Sequence, residues 1–308
     1  MEIAKIVTNQ VIIMFILIIL GYILAKTKIV SQRGSKELSN ILVMIVTPCV
    51  LIKSYSIDFN ADMAAGLAKC LVFSVVIHII AIVISNLLIK KDELEKYRIE
   101  RFSVVYCNCG FMAIPLLSAA FGGDGVFYGS AYLVVFTALS WSHGLYLYSG
   151  DKKTLSFVKI ATTPGMIGIV VGMLLFLTGL RLPSPLFAAV DYMTGLNTPV
   201  AMILLGVFLA EVDLKKAFLH TKLYVVSALR LIIIPVIAIL IGRLFNLDDH
   251  LLSATIITAA CPVATVAALF AAKYDLDTAY ASEMVAINTL ISIITIPVIV
   301  ALIDIIKF

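Results

Sequence analysis

Apolar residues in this chain run in long blocks separated by short polar links, and the block length sets the first expectation. Ten stretches of about the 17 to 25 residues needed to cross a bilayer core fall at Val7–Ala25, Leu38–Tyr55, Ala65–Ile89, Phe102–Phe121, Val126–Tyr148, Phe157–Leu180, Val190–Ala210, Leu223–Leu244, Leu251–Ala272 and Ala281–Ile306. The pattern predicts an all-α polytopic membrane protein with ten transmembrane helices. The links are too short to hold a soluble domain, so recognition is expected among the helices themselves.

Two blocks are interrupted at corresponding places: Asn108 to Pro115 in the fourth and Ala260 to Thr265 in the ninth. Proline has no amide hydrogen and clashes with the carbonyl four residues back, so each block is expected to be a broken helix at membrane depth. Backbone freed there is tolerated only where it is buried in protein or lines a cavity. Paired breaks in two halves point to a binding site between them. Halving the chain gives 1–150 and 151–308, five spans each. Because five is odd, the second half enters with opposite polarity, and any repeat is inverted. Gly21 and Gly172, Pro48 and Pro199, and Pro115 and Pro262 recur at nearly one offset.

Composition agrees with the block pattern. Hydrophobic residues are 62% of 308 positions and charged residues 14%, and the mean hydropathy is +1.09. Links after the odd-numbered spans carry sixteen Lys and Arg, against six on the opposite side. The positive-inside rule makes the first set cytoplasmic and places both termini outside a cell membrane, plasma or inner. Topology therefore accounts for the net charge of +4, and no nucleic-acid partner is needed. The first apolar run lacks a small-x-small cleavage pattern, so a retained helix is expected. The five cysteines fall in or near spans, which implies packing thiols rather than a disulfide framework. Cys107-x-Cys109 lacks zinc-site spacing, and no metal or cofactor is expected.

Four segments together resemble the auxin efflux carrier family: Asn108-x-Gly110-Phe111-x-x-x-Pro115 followed by Leu116, Pro199 through Gly206 to Ala210, Arg230-Leu231 with Pro235, and Pro262 through Tyr274. The resemblance covers the whole chain. It implies two inverted five-helix repeats, crossing broken helices 4 and 9, and a fold shared with bile acid–sodium symporters. It further implies an elevator mechanism, with helices 3–5 and 8–10 moving against a homodimeric scaffold of helices 1, 2, 6 and 7. Plant members often carry a long hydrophilic loop after span five. Here only Gly150–Ser156 is available, so phospho-regulation through such a loop is not expected.

The residues at the breaks define a candidate substrate site of Asn108, Cys109, Gly110, Pro115, Cys261, Pro262, Thr265 and Asn288. Half-helix N-termini offer unpaired amides and partial positive charge, which suits an anion. Gly110 is expected to allow a backbone that a Cβ would forbid, while Asn108 and Thr265 supply neutral polar groups. Arg230 lies midway along span eight, where a charge is costly and functional by default. It is expected either to bind substrate or to lock against carbonyls or a carboxylate such as Glu283. His78 and His143 are proton-relay candidates, with a single hydrogen-bonded histidine as the plainer account of each. No metalloprotease, P-loop or nucleophile-elbow pattern occurs, so an enzyme is not expected. The expected function is secondary transport of small organic anions, mono- or dicarboxylates or auxin-like acids, with Na+ or H+ coupling open. An anion channel or a membrane-embedded ligand sensor is the alternative.

Overall fold

Helices build almost the whole chain in a computed structural model that describes residues 2–91, 95–151 and 157–306. Lys152, Lys153 and Lys307, counted above in the charge asymmetry, lie outside the described residues, as does most of the Gly150–Ser156 link. Among the described residues, seven helices are long and apolar enough to cross a membrane: α1 (Glu2–Lys26), α2 (Gln32–Tyr55), α3 (Ala61–Leu88), α5 (Cys109–Ser149), α8 (Ser184–Ala210), α10 (Thr221–Leu244) and α13 (Thr278–Ile305). Between them lie α4 (Lys96–Val105), α6 (Phe157–Ala161), α7 (Pro164–Thr178), α9 (Leu214–Ala217), α11 (Asp249–Ala259) and α12 (Val266–Lys273).

The difference from ten uninterrupted blocks has local causes. The fourth block is cut into α4 and the start of α5 by extended residues Tyr106–Asn108, and the ninth into α11 and α12 by residues 260–265. The sixth is cut before Pro164, leaving a 15-residue apolar helix. Within α5, Gly122 takes φ 63°, ψ −142°, a backbone open to glycine but not to L-residues with a Cβ. That turn separates the fourth block from the fifth.

Three spans contain a π-helical turn followed by proline. Leu42–Val46 precedes Pro48, Cys109–Ala113 precedes Pro115, and Leu229–Ile233 precedes Pro235. A widened turn relieves the clash between the proline ring and the carbonyl four residues back, so these helices bend without ending. Pro115 thus sits inside helical backbone, and the break falls upstream of it, at Tyr106–Asn108.

Small residues bring two pairs of helices into backbone contact. A Cβ on Gly21 of α1 would lie 2.1 Å from the Ile203 carbonyl oxygen of α8, and one on Gly206 would lie 2.0 Å from that of Ile18. In α7, a Cβ on Gly168 would meet the Pro48 backbone of α2 at 2.7 Å, and one on Gly172 would meet Tyr55 at 2.9 Å. Glycine permits this approach, as in small-xxx-small packing generally.

Polar contacts gather at the two ends of the bundle. At one end Lys26 donates to the Ala210 carbonyl, Arg98 to Tyr148, Lys222 approaches Glu100, and Lys96 pairs with Asp277. At the other, Arg181 bonds Ser56 and Asp58, Lys53 bonds Asp191, and Arg243 holds Asp249 and the last carbonyls of α13.

Candidate functional site

The two breaks cross. Asn108 N–H donates to the Pro262 carbonyl at 2.7 Å and Ala264 N–H to the Tyr106 carbonyl at 3.0 Å, an antiparallel bridge centred on Cys107 and Val263. Each interrupted strand thereby satisfies part of the other's backbone, which inside a bilayer has no water to turn to. Four helix ends meet here: the C-termini of α4 and α11, and the N-termini of α5 and α12.

Arg230 closes off the two C-termini. It is fully buried and is carried into the core on the π-turn of α10. Its Nη1 donates to the carbonyls of Val104 (3.2 Å) and Val105 (3.1 Å), and its Nη2 to that of Ala259. These are the last carbonyls of α4 and α11, the orphan acceptors of each half-helix. Of the two partners left open by the sequence, carbonyls are what Arg230 bonds. Glu283 instead accepts from His220 Nδ1 at 2.7 Å, at the end of the bundle that holds Lys222 and Glu100.

The N-termini are organised differently. Asn108 caps α5 through Oδ1, which accepts from Phe111 N–H at 3.3 Å, while its Nδ2 is buried with no partner among the described residues. Gly110 has no left-handed φ, and a Cβ there would meet nothing within 4 Å. Its missing side chain leaves room beside the crossing instead of permitting a special backbone. Thr265 starts α12 without a side-chain cap and is half-buried. Cys109 and Cys261 are buried, the Cys261 thiol bonding the Ile257 carbonyl at 3.4 Å. Cys107 is buried against the Thr258 carbonyl at 3.3 Å.

The remaining candidates fall into two groups. His78 is fully buried, its Nδ1 on the Ser74 carbonyl at 2.7 Å and its Nε2 unpartnered among the described residues. Its ring lies 4.6 Å from Tyr132 and 6.2 Å from Tyr106, so it packs beside the crossing. Asn288 is fully buried one helix away, Nδ2 donating to Ser227 at 2.9 Å. His143 pairs with the Tyr106 hydroxyl at 2.9 Å. Pro115 is buried in α5. Sequence reasoning missed His220 as the partner of Glu283, since the two lie 63 positions apart. Replacing His220 by Ala leaves a buried carboxylate short of a donor, a defect of about 1 to 3 kcal/mol. The expected result is a lower melting temperature in detergent than for His220→Gln, which retains a donor.

Charge at the crossing can be summed. Two helix C-termini contribute about −0.5 each, and one guanidinium offsets them. The two N-termini carry about +0.5 each; the neutral Asn108 side chain caps one of them, and Thr265 leaves the other without a side-chain cap. The arrangement favours a negative group.

A sequence profile described as membrane transport protein matches residues 6–300. A Methanothermobacter thermautotrophicus protein named an uncharacterized transporter is 26% identical over 302 residues, covering 94% of this chain and 96% of that protein. A Methanocaldococcus jannaschii protein of the same description is 22% identical over 302 residues, with the same coverage. A Rhizobium meliloti protein named as a candidate malonate transporter is 24% identical over 306 residues, covering 94% of this chain and 93% of that protein.

Proposed function

The chain belongs to the membrane transport protein family, that of the auxin efflux carriers, and on that premise we propose that it is a secondary carrier of small organic anions. The observation that carries this reading is the crossing of the two interrupted helices. Arg230 neutralises one pair of ends, and at the other Asn108 keeps an amide nitrogen with no partner among the described residues. A carboxylate placed there would gain a charge-assisted bond from Asn108 and the positive field of two helix N-termini. Malonate, named for the Rhizobium meliloti relative, is a small dicarboxylate.

The same reading joins α4 to the first part of α5, and α11 to α12, as single passes. With α7 counted as a pass, this makes ten spans in two inverted halves, 1–150 and 151–308. The glycine contacts support it: α1 meets α8 through Gly21 and Gly206, and α7 meets α2 through Gly172 and Gly168. An inverted repeat that maps span one onto six and span two onto seven would carry the first contact onto the second. We assign these four spans to a homodimeric scaffold and the remaining six to the moving element of an elevator, with both termini outside the cell membrane. Because Arg230 occupies the half-helix carbonyls that would otherwise coordinate a cation, we expect no sodium requirement at that position.

The test is counterflow in proteoliposomes loaded with unlabelled malonate, malate or indole-3-acetate, following entry of the labelled acid with sodium or choline outside. Accumulation that needs internal substrate and survives removal of sodium is expected. Asn108→Ala should lower it at least a hundredfold while the protein stays folded, since loss of the helix cap costs only about 1 kcal/mol. Pro262→Ala should do the same, because it keeps the carbonyl that receives Asn108 N–H but lets α11 wind on through the gap. Saturable uptake unchanged in both variants would remove the site. Large unitary currents would identify a channel, and binding without flux a sensor.

A further inference from the structure

Neither end of the Asn197 side-chain amide has a hydrogen-bond partner among the described residues, although the residue is only 3% exposed. Native proteins keep few such buried groups without a reason. Helix capping does not supply one: Asn197 starts the second part of α8, after the turn at Leu196, but makes no side-chain cap.

Its position suggests the reason. Asn197 is the middle residue of the 27-residue α8. The segment Asn197–Ala210 packs against Cys109–Ala113, the first turn after the crossing. That turn contains Gly110, beside which there is open space, and it is capped by Asn108, whose own amide nitrogen is unpaired.

We propose that Asn197 is a second binding residue for the transported acid, contributed by the static scaffold opposite Asn108, and that it selects acids carrying an O–H donor beside the carboxylate. The proposal rests on the carrier reading above. Its chemistry follows from the free atoms. Asn108 offers a donor, and Asn197 a donor and an acceptor. A fully ionised carboxylate is acceptor-only, so it would leave the Asn197 oxygen unpaired. A hydroxy acid, or a dicarboxylic acid with one carboxyl protonated, satisfies all three. Sites built to bond a substrate hydroxyl reject analogues lacking it far more strongly than apolar pockets reject a missing methylene.

Two measurements test this. In the first, Asn197→Cys is exposed in proteoliposomes to an anionic and a cationic methanethiosulfonate, and adducts beyond those of the parent are read by mass spectrometry. Modification is expected, faster with the anionic reagent and slowed by malate. In the second, counterflow of labelled malate is compared with that of succinate, which lacks the hydroxyl, at pH 7.5 and pH 5.5. The wild type should prefer malate at pH 7.5, and succinate should gain at pH 5.5, where more of it carries one protonated carboxyl. Asn197→Leu should raise KM for malate at least tenfold and bring the malate-to-succinate preference towards one, with Asn197→Gln recovering part of it. An unmodified thiol, or a preference unchanged in Asn197→Leu, overturns the proposal while leaving a carrier in place. If the wild type exchanges no acid and the thiol is still modified with malate protection, the carrier reading falls and the binding residue stands.

Discussion

Arg230→Met is expected to abolish folded protein, or to lower its melting temperature so far that transport cannot be separated from stability. The guanidinium is fully buried and makes its bonds to Val104, Val105 and Ala259, the ends of two different half-helices. Methionine matches it in length but leaves these carbonyls without a donor, and two negative helix ends face each other unscreened. Each buried carbonyl left unsatisfied costs about 1 to 3 kcal/mol, and three of them are a large share of the roughly 5 to 15 that ordinarily separates folded from unfolded domains. Arg230→Lys keeps the charge but cannot reach both helix ends with a planar fork, so an intermediate loss is expected. Size-exclusion profiles and thermal unfolding in detergent check this. A variant that folds as well as the wild type but fails in counterflow would reassign Arg230 from charge lock to substrate binding.

Gly206→Leu should be as damaging, for a steric reason. Even the first added carbon would sit 2.0 Å from the Ile18 carbonyl oxygen and 2.9 Å from the Gly21 Cα, so α1 and α8 would have to separate along their whole contact. Overpacking of this kind typically costs 1 to about 3 kcal/mol, and here no flexible side chain can yield because backbone is what stands in the way. Gly21→Leu should behave alike. Gly195→Ala is the control in the same helix, since a Cβ there meets nothing within 4 Å. Monodisperse yield after extraction should fall for the first two and hold for the third. Equal yields from all three would argue against the α1–α8 contact and against the repeat relation built on it.

Hydrophobic periodicity made the seven long helices legible, because the length of an apolar run and the span of a bilayer are the same quantity in two forms. The ten apolar blocks and the seven long helices part company wherever a break falls inside a run. Proline drew attention to both crossings, yet at Pro115 the helix absorbs the ring with a π-turn and the true interruption lies at Tyr106–Asn108. Hydropathy carries no signal for that shift. Gly110 was similarly visible as a residue type but not in its role, which is room beside the site.

The membrane, the transporter family and the pairing of two interrupted segments follow from the sequence alone, since apolar block length, proline chemistry and the residues around the breaks are properties of short stretches of chain. The partners of Arg230 were decided only by the tertiary structure. So were the His220–Glu283 pair and the buried amide of Asn197, unpaired among the described residues. Arg230 meets Val104 across 126 positions, and no local pattern encodes which carbonyls will be left without an amide once two broken helices have crossed.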